Sequence, residues 1–200
     1  MLNTISGGEV IHVYEQMVDL ILCFAFYSML GWMTETIFKS VRDRRLVNSG
    51  FLSGPFCPIY GAGALLVIQS GQMLDKSWVG LGYAEALLVK LLLAIILTSI
   101  LEYVTGYLLE TLFDNKWWDY SDEFLNIKGR VCLKYSVYWG GLAFLLIEQV
   151  HPLYLRAISQ ISPVSAYIGA GLLVMYFVFD GVKSVVGVLD LQRLMTVNHD

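Results

Sequence analysis

The stretch YAEALLVKLLLAIILTSILEYVTGYLLETLF, Tyr83 to Phe113, decides the fold. It contains no proline, and its only charged residues are Glu85, Lys90, Glu102 and Glu110. As a helix it measures about 45 Å, longer than the roughly 30 Å hydrocarbon core of a bilayer, so it must tilt or project from it. Around this stretch the chain is 56% hydrophobic and only 15% charged, against about 25% in an ordinary soluble domain. Too little charge remains to cover a water-facing surface. The composition excludes a soluble globular protein and a disordered chain. The net charge of −4 gives no general attraction for phosphates and excludes a nucleic-acid binder.

Working outward, a first apolar run covers Leu20 to Phe38, after an acidic arm with Glu9, Glu15 and Asp19. A basic loop, Lys39 to Arg45, follows. Next, Gly50 to Gly63 packs two prolines, Pro55 and Pro58, among the glycines Gly50, Gly54, Gly61 and Gly63. Such a segment cannot be one uninterrupted helix. It reads as an irregular or re-entrant piece leading into a second span that ends near Leu74. After the third span come a polar stretch from Asp114 to Lys134, holding Trp117-Trp118-Asp119-Tyr120, and a fourth span from Val131 to Val150. A loop with His151-Pro152 and Pro163 then leads to a fifth span, Val164 to Leu189.

The expected fold is therefore all-α: one polytopic transmembrane bundle of five spans, or six if the Gly/Pro segment or the Pro152–Pro163 loop hides a further crossing. Residues 1–19 read as an extracytoplasmic N-terminal arm, 20–189 as the membrane domain and 190–200 as a cytoplasmic tail. With five spans, Lys39, Arg42, Arg44, Arg45, Lys116, Lys128, Arg130, Lys134, Lys183 and Arg193 share one side, against Lys76 and Arg156 on the other. The positive-inside rule places the N-terminus outside and the C-terminus in the cytoplasm. No Lys or Arg occurs in the first 38 residues, so a cleaved signal peptide is not expected. Cys23, Cys57 and Cys132 lie far apart without CxxC spacing, and read as packing residues rather than a disulfide framework or metal site.

Ionisable groups at membrane depth are costly and mark candidate functional positions. Glu35, Glu102 and Glu110 are three of them. At 100° per residue Thr98, Ser99, Glu102, Thr105, Gly106 and Glu110 share an arc of roughly 140°, and Ser28, Gly31, Trp32 and Glu35 share a face of the first span. These faces, the Gly/Pro segment and the aromatic loop converge on one polar chamber open to the cytoplasm, where broken helices leave backbone groups free for a ligand. The plainer readings are an ion pair of Glu35 or Glu110 with Arg44, Arg45 or Arg130, and an interfacial belt of Trp117, Trp118 and Tyr120. For Asp180 and Lys183 the plainest reading is a local helical pair, and Glu148 and His151 read as solvated at the outer boundary. The chain has no GxxxxGK[ST] loop, so ATP would have to be handled by a separate subunit.

The strings Gly31-Trp32-x-x-Glu35, Asn48-x-Gly50-Phe51-Leu52-x-Gly54-Pro55-x-Cys57-Pro58-Ile59-Tyr60-Gly61, Leu101-Glu102-Tyr103-x-Thr105-Gly106, Trp117-Trp118-Asp119-Tyr120 and Asn126-x-x-Gly129-Arg130 resemble the bacterial membrane family called putative ABC-transporter type IV. The likeness covers roughly residues 28 to 141, with Ser49 standing where a basic residue is expected. It implies a permease-like component of the bacterial cytoplasmic membrane and brings no defined substrate. On this reading Glu35, Asn48, Tyr60, Glu102, Glu110, Asp119 and Arg130 are the candidate substrate- or ion-binding residues. Gly50, Gly54, Pro55, Pro58 and Gly61 shape the loop, and Trp117, Trp118 and Tyr120 form the aromatic loop. No cofactor or resident metal is expected, only a bound cation or lipid. The partners are the bilayer and a cytoplasmic ATPase docking on 39–50 and 114–134; a homo-oligomer is compatible with the sequence. The rival readings are an enzyme acting on a lipid or lipid-linked substrate at the cytoplasmic leaflet, with Arg130 and Arg45 on a phosphate, and a scaffold without transport.

Overall fold

A computed structural model describes residues 7–77, 80 and 82–197. Residues 1–6 of the N-terminal arm and 198–200 of the C-terminal tail lie outside the described residues. Six α-helices follow in order: α1 (Gly7–Asp43), α2 (Pro58–Ser77), α3 (Tyr83–Phe113), α4 (Leu133–Leu145), α5 (His151–Ile158) and α6 (Pro163–Val197). A π-helical turn, Leu146–Val150, joins α4 to α5. Among the described residues the only β pairing is an isolated bridge between Ile127 and Val131. Three segments are long and apolar enough to cross a membrane: Val13–Asp43, Tyr83–Phe113 and Pro163–Gln192. The arm preceding Leu20 is not separate from Gly7 onward, because α1 runs through it unbroken.

The packing follows chain order. α2 lies antiparallel on α1, with Gly61 against Ser28 and the Phe24 carbonyl. α3 returns along α2, placing Thr98 and Leu101 beside Gly63 and Lys90 beside Gly71. Ser99 Oγ donates to Ser136 Oγ at 2.8 Å, fixing α4 antiparallel to α3. α6 runs the same way as α1, with Leu22 near Gly169 and Phe24 edge-on to Phe177 at 5.4 Å. The core is small-residue and aromatic. Cys23, Tyr27, Ala64 and Tyr154 form one buried cluster and Val67, Ala94 and Ala143 another. All three cysteines are free and buried.

Helix ends follow local chemistry. α1 and α3 stop in the left-handed region at Arg44 (φ 50°) and Asp114 (φ 42°), a conformation that closes a helix without continuing it. α2 and α6 open on Pro58 and Pro163, whose missing N–H costs nothing in a first turn. Ser162 Oγ accepts the Ser165 N–H at 3.2 Å and caps α6.

The sequence places a loop at His151-Pro152; the structure has helix there. Pro152 cannot donate to the carbonyl four residues back and its ring crowds that carbonyl. The wider π turn over Leu146–Val150 absorbs the misfit, and α5 continues to Ile158. This turn brings α5 against α1, where the Tyr154 ring packs on Phe26 and Tyr27 at 5.0 and 5.8 Å. The connection to α6 is only Ser159 to Ser162.

Both connections at the Asp43/Phe113 end fold back along the helix they leave. Cys57 N–H donates to the Ser28 carbonyl at 2.9 Å, fifteen residues short of the end of α1 and so about 22 Å back along it. Tyr120 reaches Glu102, about 17 Å back along α3. α2 and α4 therefore begin well inside the bundle. The first fold-back matches the irregular segment expected from Gly50 only as far as Cys57, because α2 takes in Pro58 to Gly63. The second, Asp114 to Cys132, returns its Trp and Tyr side chains to α3.

Candidate functional site

The segment from Val47 to Cys57 is held by backbone donors and short side chains. Val47 N–H and Ser49 N–H donate to Ser40 Oγ (3.0 Å) and Thr36 Oγ1 (3.3 Å) of α1. Asn48 is central: its Oδ1 accepts from Trp32 Nε1 at 2.6 Å and its Nδ2 donates to the Ser53 carbonyl at 2.8 Å. Gly50 has φ 105°, a region closed to side-chain-bearing residues. Gly54 N–H donates to Asp180 Oδ2 at 2.9 Å, with the Tyr176 hydroxyl over its Cα where a Cβ would stand. Pro55 sits in a tight turn closed by Phe56 N–H to the Gly54 carbonyl at 2.9 Å, which its fixed φ suits. Asp180 is thus 4% exposed and turned to Gly54. The expected pairing of Asp180 with Lys183 is absent, because the loop's backbone N–H occupies the carboxylate.

The segment from Asp114 to Cys132 is built with comparable care. Trp118 Nε1 donates to the Arg130 carbonyl at 2.8 Å, and its ring lies against Gly106. Asn126 bonds the Ser121 and Glu123 carbonyls and the Gly129 N–H. Asp119 accepts from Ser121 Oγ, from Ser121 N–H at 3.0 Å and from Lys116 Nζ at 2.9 Å. The Ser121 hydroxyl, followed by Lys116 and the Ser121 N–H, holds its carboxyl down at about 2. Trp117 packs on Phe51 and Phe113 at 5.7 and 5.8 Å and so ties the two fold-back segments together. The tryptophans are therefore joints of the fold as well as aromatic surface.

Two of the three helical glutamates are matched by cations. Glu35 pairs with Lys39 at 2.6 Å, one turn on. Glu110 receives Arg130 Nε and Nη2 at 2.9 and 2.7 Å. The Arg130 guanidinium also lies over the Tyr103 and Tyr107 rings, 5.4 and 5.3 Å from their centroids. Neither Arg44 nor Arg45 takes part in either pair.

Glu102 is different. It is 4% exposed and, among the described residues, has no ion-pair partner. Tyr120 Oη donates to Oε1 and Trp139 Nε1 to Oε2, each at 3.1 Å. Tyr120 is stacked on Tyr135 at 4.4 Å, and Trp139 packs on Tyr60 at 5.3 Å. These contacts bring Tyr60, Glu102 and Tyr120 together, while Glu35 stays with Lys39 on α1. Glu110 and Arg130 form a separate pair farther along α3, Asp119 an exposed loop brace, and Asn48 a brace on α1. Trp139 and Tyr135 were missed as site residues. A tryptophan inside an apolar span must place its N–H on some acceptor, and that was the available signal. Two serines beside this region, Ser28 and Ser49, bury hydroxyls without a partner.

Two further side chains depart from expectation. His151 is half-buried and its Nδ1 shares a 3.1 Å hydrogen bond with the Tyr27 hydroxyl; Glu148 accepts from Tyr83 Oη at 2.6 Å. The helix continuing through Pro152 carries His151 against Tyr27 instead of leaving it solvated, while the Glu148 bond stays exposed. Lys90, inside α3, pairs with Asp75 at 2.7 Å.

An all-helical chain with three membrane-length apolar helices and a buried carboxylate at its centre belongs to the class of helical membrane proteins. More narrowly, the chain belongs to the family described as Putative ABC-transporter type IV, whose model matches residues 22–185 and makes it transport-related. No curated protein and no solved structure matches it.

Proposed function

We propose that the chain is the permease-like membrane component of a transport system for a small solute or ion, with Glu102 at the centre of its site. One observation carries this reading: a carboxylate almost fully buried in a membrane bundle without a cation, its two oxygens held by a tyrosine and a tryptophan. A group so costly to bury defaults to a role in conduction or binding. The bundle supports five crossings, α1, α2, α3, α4 with α5, and α6, in alternating direction. The basic residues of the Asp43/Phe113 end turn that end to the cytoplasm and the N-terminus outward, in a bacterial cytoplasmic membrane.

Lacking a phosphate-binding loop, the chain would draw on a separate ATPase, docked on 39–50 and 114–134. Leu46 is 98% exposed there, and Phe124 is 75% exposed. The lipid-enzyme reading loses one of its two phosphate anchors, because Glu110 and two tyrosine rings occupy the Arg130 guanidinium. Mild-detergent purification from the native membrane, followed by native mass spectrometry, tests the proposal. A stoichiometric ATPase subunit is expected to stay bound. A chain that retains a lipid-linked molecule and no ATPase would overturn it in favour of an enzyme.

A further inference from the structure

We infer that the ligand of Glu102 is a proton. The inference deepens the reading above and rests on it only in taking Glu102 as the functional centre. The donor set does not fit a divalent metal cation. Calcium takes six to eight oxygens and magnesium an octahedron, and among the described residues no three His, Cys, Asp or Glu side chains converge. The Trp139 indole N–H can only donate, so it fixes Oε2 as an acceptor and turns a hydrogen, not a ligand atom, toward the site.

Oε1 faces a group of the opposite kind. The Tyr120 hydroxyl can donate or accept. With Glu102 ionised, Tyr120 O–H donates to Oε1. With Glu102 protonated, Oε1–H donates to the Tyr120 oxygen, and the hydroxyl hydrogen turns away. The site is therefore satisfied in both protonation states, whereas an arginine or lysine in place of Tyr120 would fix Glu102 as an anion.

The groups packed around this bond are neutral aromatics: Tyr135 of α4 is stacked on Tyr120, and Tyr60 of α2 packs on Trp139. Glu35 of α1 is paired with Lys39, and Glu110, eight residues farther along α3, with Arg130. The proton comes from water and adds to Oε1, while Tyr120 and Trp139 keep their own.

Infrared difference spectroscopy of the full chain in lipid nanodiscs, between acid and alkaline buffer, tests the inference. The wild-type protein should show one carboxylic-acid carbonyl band that shifts in D2O. Glu102→Gln should remove it, Glu102→Asp should keep it displaced, and Tyr120→Phe should raise its frequency by removing a hydrogen bond. No such band in the wild type at any pH, a band that survives Glu102→Gln, or a band abolished by added sodium or potassium would each overturn the proposal. The infrared result is independent of any ATPase. A band with these properties in a protein that retains a lipid-linked molecule and no ATPase would sink the transport reading and leave the proton site standing.

Discussion

At the residue scale, charged side chains of this bundle divide into those matched by opposite charge and those matched by neutral hydrogen bonds. Asp119 belongs to the loop, exposed, and its partners depress its carboxyl to about 2. Its ordinary value in an unfolded chain is about 3.9. A depressed carboxyl supports the folded loop at every pH above the unfolded value, and that support is lost only as pH falls through about 2. Protection factors for amide hydrogen exchange across 114–132, taken against the intrinsic rate at each pH, should therefore keep the contribution of Asp119 unchanged from neutral pH down to about 4. Asp119→Asn should speed exchange at Ser121 at all pH values, because the amide side chain cannot serve both the Ser121 hydroxyl and Lys116. Equal protection in the variant would show that the bonds to Ser121 and Lys116 do not hold this loop.

At the scale of elements, the closest approach lies between α1 and α2. A Cβ on Gly61 would overlap Ser28 Oγ and the Phe24 carbonyl, and a backbone oxygen cannot swing aside as a flexible side chain can. Overpacking of this kind costs about 1–3 kcal/mol. Gly61→Val should lower the thermal midpoint measured in detergent, while Gly141→Ala, inside α4 with nothing within 4 Å, should hold or raise it. A Gly61→Val protein as stable as the wild type would show that the two helices can part freely. The limits of α3, Tyr83 to Phe113, were legible because an unbroken apolar run without proline admits one reading. A break after Gly50 was legible from proline and glycine chemistry, although α2 begins at Pro58, inside the stretch read as irregular to Gly63. What escaped was set by partners distant in the chain: the π turn that lets helix pass Pro152, the loan of Asp180 to Gly54, and the hydrogen bonds that dock 114–132 on α3. The face bearing Glu102 followed from helical spacing alone, whereas Trp139 and Tyr135 came from another helix whose rotation no spacing in α3 could set.

At the scale of the molecule, the proposed five-pass layout puts the turn after α1 and the turn before α6 on opposite sides of the membrane. The native cysteines are buried, so introduced ones report cleanly. In sealed inside-out vesicles a membrane-impermeant maleimide should label Leu46→Cys, 98% exposed, and spare Ile161→Cys, 47% exposed. Intact cells should give the reverse, and labelling of both from one side would break the five-pass layout. The two fold-back segments have one further consequence. Because α2 and α4 begin partway along the bundle, its two halves differ in make-up: α1, α3 and α6 run through both, but in one half irregular hairpins stand where the other has α2 and α4. When the surrounding bilayer thickens, thins or bends, the deformation will concentrate in the hairpin half, and Glu102 sits at the seam between the two.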